Sequence, residues 1–448
     1  MSEPIAYLVN DSIKVPLYKN RVVGLGRLPV EKKSSRVDRI QINNKHISNT
    51  HCYIWHVQFD TNTSSICYLQ DLSSNSCYVN SKPVGKLKFA ILRHGDIIKL
   101  HNEIGFKYIE TNPKRLNQKD FVHVKDWTIL PDVIGVGTFG KVQIAFKKNN
   151  SKAFYAVKTV KYSEDKSKNK LEHDILRTID HPNIIKIKQS IIDVKSGLMK
   201  MFQELAIGGD MFSYLSQDND VLQGLPEGEA VVALYQICRG LQYLHHNGIV
   251  HRDLKLDNIL IMGAPVKFPR LAIGDFGIAK QNLVQTNRTS KKAGNFLMQT
   301  LVGTAEYAAP EINLEKNIKR REANKYIDDF FANNKDQEYF DNRFYTEKVD
   351  TWSLGVVGHI LFSGISPFYS AEVADIIKKS RIGTINLDNK KWALVSDISK
   401  NFIKKCLSVN PENRYSIDEC MKSGMFTSGS RSAVIKALMK ELAISSDD

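Results

Sequence analysis

Short apolar stretches separated by polar turns dominate the first hundred or so positions of the chain. Cys52-Tyr53-Ile54-Trp55-His56-Val57, Ile66-Cys67-Tyr68-Leu69, Asp96-Ile97-Ile98-Lys99-Leu100 and Gly105-Phe106-Lys107-Tyr108-Ile109 all have strand length and close spacing. That pattern predicts a β-sandwich of about a hundred residues, from Ile5 to Glu110. A polar stretch from Thr111 to Gln118 follows and reads as a linker. From about Trp127 the pattern changes. Strand-like segments run through Ala156-Val157-Lys158, and helical periodicity then takes over, as in Ala230 to Cys238. The expectation is a multidomain chain: an all-β sandwich, then a two-lobed α+β domain. A polar segment, Asn313 to Lys348, interrupts the second lobe, and no repeat of fixed period is present.

Length and composition fit this division. A chain of 448 residues exceeds one compact core. Hydrophobic content of 42% with 25% charged residues is an ordinary globular balance. No apolar run reaches the ~18 residues that would span a bilayer, and the N-terminus has no secretory pattern, so a soluble intracellular protein is expected. Six cysteines, at 52, 67, 77, 238, 406 and 420, lack Cys-x-x-Cys spacing and read as free thiols. The net charge of +15 favours acidic partners, but the basic residues are spread along the chain and point to no direct nucleic-acid site.

The chemistry lies in the second domain. Gly135-Val136-Gly137-Thr138-Phe139-Gly140-Lys141-Val142 is a G-x-G-x-x-G-x-V loop between strand-like segments. Its glycines let backbone N–H groups approach phosphate oxygens. A strand follows the glycines, whereas the dinucleotide fingerprint opens a helix, which disfavours a dehydrogenase. Lys158 ends a strand and can contact α/β-phosphates if a carboxylate holds it, with Glu172 on the following helix as the candidate. In His251-Arg252-Asp253-Leu254-Lys255-Leu256-Asp257-Asn258, Asp253 can accept a hydroxyl proton, Lys255 can reach a γ-phosphate and Asn258 can hold a metal ion. Asp275-Phe276-Gly277 adds a second metal carboxylate. Together these segments supply phosphate grip, metal ligands and a base in one order.

From about Trp127 to Phe426 the chain resembles the eukaryotic protein kinase domain. That resemblance implies a domain over 127–427, a connection over 112–126 and a short tail over 428–448, with Ser432 to Ile444 as an amphipathic helix. It implies ATP and Mg²⁺ in a cleft between lobes. Lys255 and Thr304, in Gly303-Thr304-Ala305-Glu306-Tyr307-Ala308-Ala309-Pro310-Glu311, resemble the serine/threonine branch. Gly208-Gly209-Asp210 matches the segment after the adenine-contacting hinge, which makes Glu204 to Ala206 that hinge and Gln203 a polar gatekeeper. Arg414 is expected to pair with Glu311. Arg252 is expected to await an activation-loop phosphate, with Thr300 as the primary switch and Thr304 beside it. Asp210 and Asp257 occupy positions that in relatives read a basic residue upstream of the phosphoacceptor.

Gly26-Arg27, Ser48-Asn49-Thr50-His51 and Ser73-Ser74-Asn75-Ser76-Cys77-Tyr78-Val79-Asn80 resemble the forkhead-associated (FHA) domain. The resemblance covers roughly Ile5 to Glu110 and implies a domain over 1–111, with phosphothreonine binding by Arg27 and Ser48, helped by Asn49 and Ser74. Asn75 would grip the peptide backbone and His51 would brace the loops. Ser76 stands where the family commonly has glycine.

The two modules together resemble the fungal checkpoint-effector kinases, with the meiosis-specific yeast branch as the nearest likeness. This implies a nuclear kinase in meiotic recombination checkpoint signalling, recruited by a phosphothreonine on a chromosome-axis or checkpoint adaptor protein. Homodimers would allow trans-autophosphorylation. Mitotic DNA-damage relatives carry Ser/Thr-Gln clusters or a second FHA domain, and neither is seen here; a mitotic checkpoint kinase is the alternative. A catalytically inactive adaptor is a further alternative, opposed by the presence of Lys158, Glu172, Asp253, Asn258 and Asp275.

Overall fold

Alternating burial along short strands builds the N-terminal unit. The computed structural model describes residues 3–28, 36–59, 62–101, 104–113, 117–137, 140–162, 175, 177–216, 221–276, 279–281, 305–314 and 346–444. Among these residues eleven strands form two sheets: β1 (Ala6–Val9), β2 (Lys14–Leu17), β3 (Val22–Gly26), β4 (Val37–Gln41), β5 (Cys52–Val57), β6 (Ile66–Asp71), β7 (Tyr78–Val79), β8 (Lys82–Pro83), β9 (Phe89–Leu92), β10 (Ile97–His101) and β11 (Ile104–Glu110). One sheet runs β2-β1-β11-β10-β7-β8 and the other β4-β3-β5-β6-β9. Only β3 and β4 pair in parallel among the described strands. Leu8, Leu25, Ile54, Leu69, Ile98 and Tyr108 fill the space between the sheets.

The second sheet is buried on both sides. In β5, Cys52, Ile54, Trp55 and Val57 are all buried. Ile54 faces the sandwich core, while Trp55 and Val57 join a cluster with Leu130, Ile134 and Ile207 of the second domain. The sandwich therefore packs its outer face against its neighbour.

The second domain opens with a six-stranded sheet, β12 (Val122–Val124), β13 (Trp127–Gly137), β14 (Gly140–Lys147), β15 (Asn150–Lys161), β16 (Ile187–Asp193) and β17 (Leu198–Gln203), in the order β12-β13-β14-β15-β17-β16. Val122–Val124 lies inside the stretch expected to be a connection over 112–126. It pairs antiparallel with β13. Three residues are too few to show a periodic signal.

Helices follow. Glu227–His246 begins with Glu227 and Glu229 in its first turn and ends with two histidines, an arrangement that suits the helix dipole. It buries Ala230, Leu234, Ile237, Leu241 and Leu244 along one face. Lys348–Ser363 is buried along almost its whole length and carries Asp350. Arg414 donates to both oxygens of Glu311 at 2.6 and 3.1 Å, as the sequence suggested, and its guanidinium lies over Trp352. The helix Gly429–Ile444 starts a few residues before Ser432. It packs Ile435, Leu438 and Met439 on this lobe, while Arg431 bonds Glu227 at 3.0 Å. All six cysteines are buried free thiols. No helix among the described residues is long and apolar enough to cross a membrane.

Candidate functional site

The cleft between the lobes is assembled from a hairpin, the strand β15 and two loops. β13 and β14 pair up to Gly137 and Gly140, which places the glycine-rich segment at the end of this strand pair. Gly140 has φ +148°, and a Cβ there would lie 1.9 Å from the Thr159 carbonyl oxygen. No larger residue fits. Val142 is the cross-strand partner of Lys158, which places the lysine under the hairpin. Thr138 and Phe139 lie outside the described residues, as do Glu172, Thr300, Thr304 and most of the Asn313–Lys348 segment.

Lys158 reaches into the cleft and bonds Asp275 Oδ1 at 3.0 Å. Burial alone would raise the Asp275 carboxyl, but the ammonium outweighs it and holds the group below its ordinary range. Asp275 has φ +57° and Arg252 has φ +70°, both in the left-handed region that non-glycine residues rarely occupy. Such strain persists only where the surroundings over-determine it. Here they do. Asp350 accepts the backbone N–H groups of His251 (2.8 Å) and Arg252 (2.7 Å) and lies 2.9 Å from His245 Nε2. His251 Nε2 is 3.0 Å from the Gly274 carbonyl oxygen, its ring meets Phe276 edge-on, and Gly274 N–H donates to Asn258 O at 2.8 Å. The two loops are thereby locked together.

Within this frame Asp253, Lys255 and Asn258 converge. Lys255 Nζ is 3.2 Å from Asp253 Oδ2, and Asn258 Nδ2 donates to the same oxygen at 3.1 Å and to the Asp253 carbonyl at 2.7 Å. Burial raises the Asp253 carboxyl above its ordinary value, against the opposing charges of Lys255 and His251. A carboxylate so placed is a more willing proton acceptor. Because the Asn258 amide nitrogen is committed to Asp253, its Oδ1 is the atom left to face a cation.

The remaining candidates sort by environment. Glu204 turns its carboxylate away to Arg270 (3.2 Å) and the Lys186 N–H (3.1 Å), so its side chain anchors the segment and only its backbone can serve a ligand. Ala206 is buried. Asp257 is exposed, but Asp210 is buried and accepts the Ser213 N–H at 2.7 Å as the cap of Met211–Leu215. Burial pushes its carboxyl up to about 7, with the Asp257 charge adding to the effect. Motif matching read Asp210 as substrate-facing because a cap and a surface acid look alike in sequence. His245 went unnoticed; its only sequence signal is its place at the end of the long helix.

A second cluster forms where three loops meet at one end of the sandwich. Gly26 permits the meeting: a Cβ there would lie 2.1 Å from the Asn49 carbonyl oxygen. Arg27 Nη2 donates to Asn49 Oδ1 at 3.3 Å, and Ser48 Oγ accepts the Ser74 N–H at 3.1 Å. Asn75 Nδ2 donates to His46 O at 3.0 Å. Buried His51 accepts the Ser48 N–H through Nδ1 at 3.1 Å. Asp71, which sequence reasoning passed over, accepts from Ser73 N–H, Ser73 Oγ and Cys77 N–H and so shapes the third loop. Ser76 lies in that loop with φ +64°. Arg27, Ser48, Asn49, Ser74 and Asn75 therefore occupy one surface.

Comparison with known proteins finds both domains. The protein kinase domain profile matches residues 130–330 and 336–426, and the FHA domain profile matches 24–101. The chain is 34% identical to the meiosis-specific serine/threonine-protein kinase MEK1 of Saccharomyces cerevisiae, over 92% of this chain and 82% of that protein. It is 31% identical to the meiosis-specific serine/threonine-protein kinase mek1 of Schizosaccharomyces pombe, over 85% and 77% respectively. It is 30% identical to the ovarian-specific serine/threonine-protein kinase Lok of Drosophila melanogaster, over 83% and 72%.

Proposed function

This chain belongs to the serine/threonine protein kinase family and carries an FHA domain, and we propose that it phosphorylates proteins to which a phosphothreonine recruits it. The observation that carries this reading is the convergence of Asp253, Lys255 and Asn258 beside the Lys158–Asp275 pair. ATP is the phosphoryl donor. Lys158 holds its α/β-phosphates, and the backbone of the glycine-rich turn, including Gly135, Val136, Gly137 and Gly140, covers them. Val142 and Ala206 bound the adenine, which meets the backbone of Glu204 to Ala206. Asp253 accepts the proton of the attacking serine or threonine hydroxyl, and Lys255 balances charge on the γ-phosphoryl group as its bond to the β-phosphate oxygen breaks. The ionised Asp275 and the Asn258 Oδ1 form a hard oxygen pair of the kind Mg²⁺ takes. Bound there, the cation supplies charge neutralisation on the phosphates.

Recruitment uses the loop cluster. Arg27, Ser48 and the neighbouring amides offer a guanidinium, a hydroxyl and N–H donors to three phosphate oxygens. Raised local concentration then lets neighbouring copies phosphorylate Thr300, whose phosphate would engage Arg252. Exposed Asp257 reads an upstream basic residue on the substrate, and Asp210 supports it from behind. Likeness to two meiosis-specific kinases supports a nuclear role in meiotic checkpoint signalling. The test is to replace Gln203 with glycine, add a bulky ATP-competitive inhibitor in cells and identify the phosphopeptides lost. Loss of peptides with basic residues upstream of Ser or Thr supports the reading; an unchanged phosphoproteome with the inhibitor bound contradicts it.

A further inference from the structure

The outer face of the sandwich meets the second domain at both borders of the nucleotide cleft. At one border the Trp55 indole Nε1 donates to the Ile207 carbonyl oxygen at 2.8 Å, a buried contact one residue beyond Glu204 to Ala206. At the other border Arg93 donates to both carboxylate oxygens of the buried Asp132, at 2.6 and 3.4 Å. Beside it the Ser64 N–H donates to the Val133 carbonyl oxygen at 2.7 Å. The register of β13 against β14 breaks on either side of Val133, so the sandwich satisfies a carbonyl at an irregularity in the ladder. Gly135 follows two residues later.

We propose that the sandwich is a working part of the nucleotide site. Trp55 and Arg93 are positioning residues that hold the adenine-contacting segment and the glycine-rich hairpin in register, so ATP affinity depends on the docked sandwich. This inference rests on the reading of Glu204 to Ala206 as the adenine contact. The physical reason is satisfaction of buried polar groups. Without the indole N–H, the Ile207 carbonyl is left buried with its donor gone, a state costly enough to move the backbone instead. The segment then spends part of its time misaligned, and apparent affinity falls by the fraction competent. Loss of Arg93 likewise leaves the Asp132 carboxylate without its guanidinium and loosens β13. Both effects fall on nucleotide binding, since the contacts are made to Ile207 and Asp132, on the segments that border the nucleotide.

The experiment uses the full chain with Trp55→Phe, Arg93→Ala and the double variant. It measures KM for ATP, kcat, and the affinity of a phosphothreonine peptide, which reports the far end of the sandwich. The expected result is a KM for ATP raised about fivefold or more in each single variant, with kcat and phosphopeptide affinity little changed. A purely structural role would lower the active fraction and hence kcat, leaving KM in place. Should Trp55→Phe fail to fold, Arg93→Ala at the rim of the contact decides the matter. Unchanged KM in a double variant that still binds phosphopeptide overturns the inference alone. A wild-type chain that binds no ATP overturns the kinase mechanism as well.

Discussion

The ammonium of Lys158 lies 3.0 Å from a carboxylate oxygen of Asp275, across 117 residues of chain. Lys158 lies inside β15 of the β-rich lobe, three residues short of its end at Lys161 rather than at the strand end the sequence suggested, and Asp275 begins a loop of the helical lobe, so this ion pair ties the two walls of the cleft together. Replacing Lys158 with Met removes the charge proposed to hold the phosphates and takes the ammonium from the half-buried Asp275 carboxylate. The expected outcome is a fall in kcat/KM of about 10²–10³, read by steady-state phosphotransfer. Arginine should not rescue it, because its planar fork does not replace a point charge.

Asp210 should make stability depend on pH. Its folded carboxyl is pushed up to about 7 from an ordinary 3.8. The folded state therefore holds the proton more tightly than the unfolded chain. Its contribution is full below the unfolded value and is lost as pH rises towards about 7. Asparagine keeps the cap acceptor but does not titrate. Asp210→Asn should gain on the wild type between about pH 5 and pH 8, by on the order of 1–4 kcal/mol. Denaturant melts at both ends of that range check this.

Ser76 occupies a left-handed conformation at φ +64°, where the related domains commonly place glycine. Ser76→Gly relieves that strain at some cost in unfolded-chain entropy. The net stabilisation should be about 0.5–1 kcal/mol. Thermal unfolding of the full chain measures it, and phosphopeptide affinity should hold.

Arg27 is the guanidinium of the loop cluster. Arg27→Ala should weaken a phosphothreonine peptide about 10- to 100-fold, by fluorescence anisotropy, while kcat on a substrate peptide stays unchanged. In cells the same variant should lose recruitment and activation together.

Much of this was readable from residues because chemistry demands particular types at particular spacings. Asp253, Lys255 and Asn258 lie within six residues, and one loop brings them together whatever the rest of the fold does. The strands Cys52–Val57 and Ile66–Asp71 were visible as apolar runs. What lay in the space between domains was harder. Trp55 read as an ordinary strand residue and Arg93 carried no signal of its own, because their partners Ile207 and Asp132 are far along the chain. A signal existed nonetheless. Cys-Tyr-Ile-Trp-His-Val is apolar on both faces, as a strand covered on both sides must be. The burial of Asp210 was not readable either, because what decides between a cap and a surface acid has no local signature.

The account stands or falls on proton acceptance by Asp253 in the cleft that Lys158, Asn258 and Asp275 complete. Purified full chain should transfer labelled phosphate from ATP and Mg²⁺ to serine or threonine of a peptide. Asp253→Asn should cut kcat by about 10²–10⁴ while nucleotide affinity is retained. Equal kcat in the variant and the wild type would contradict it.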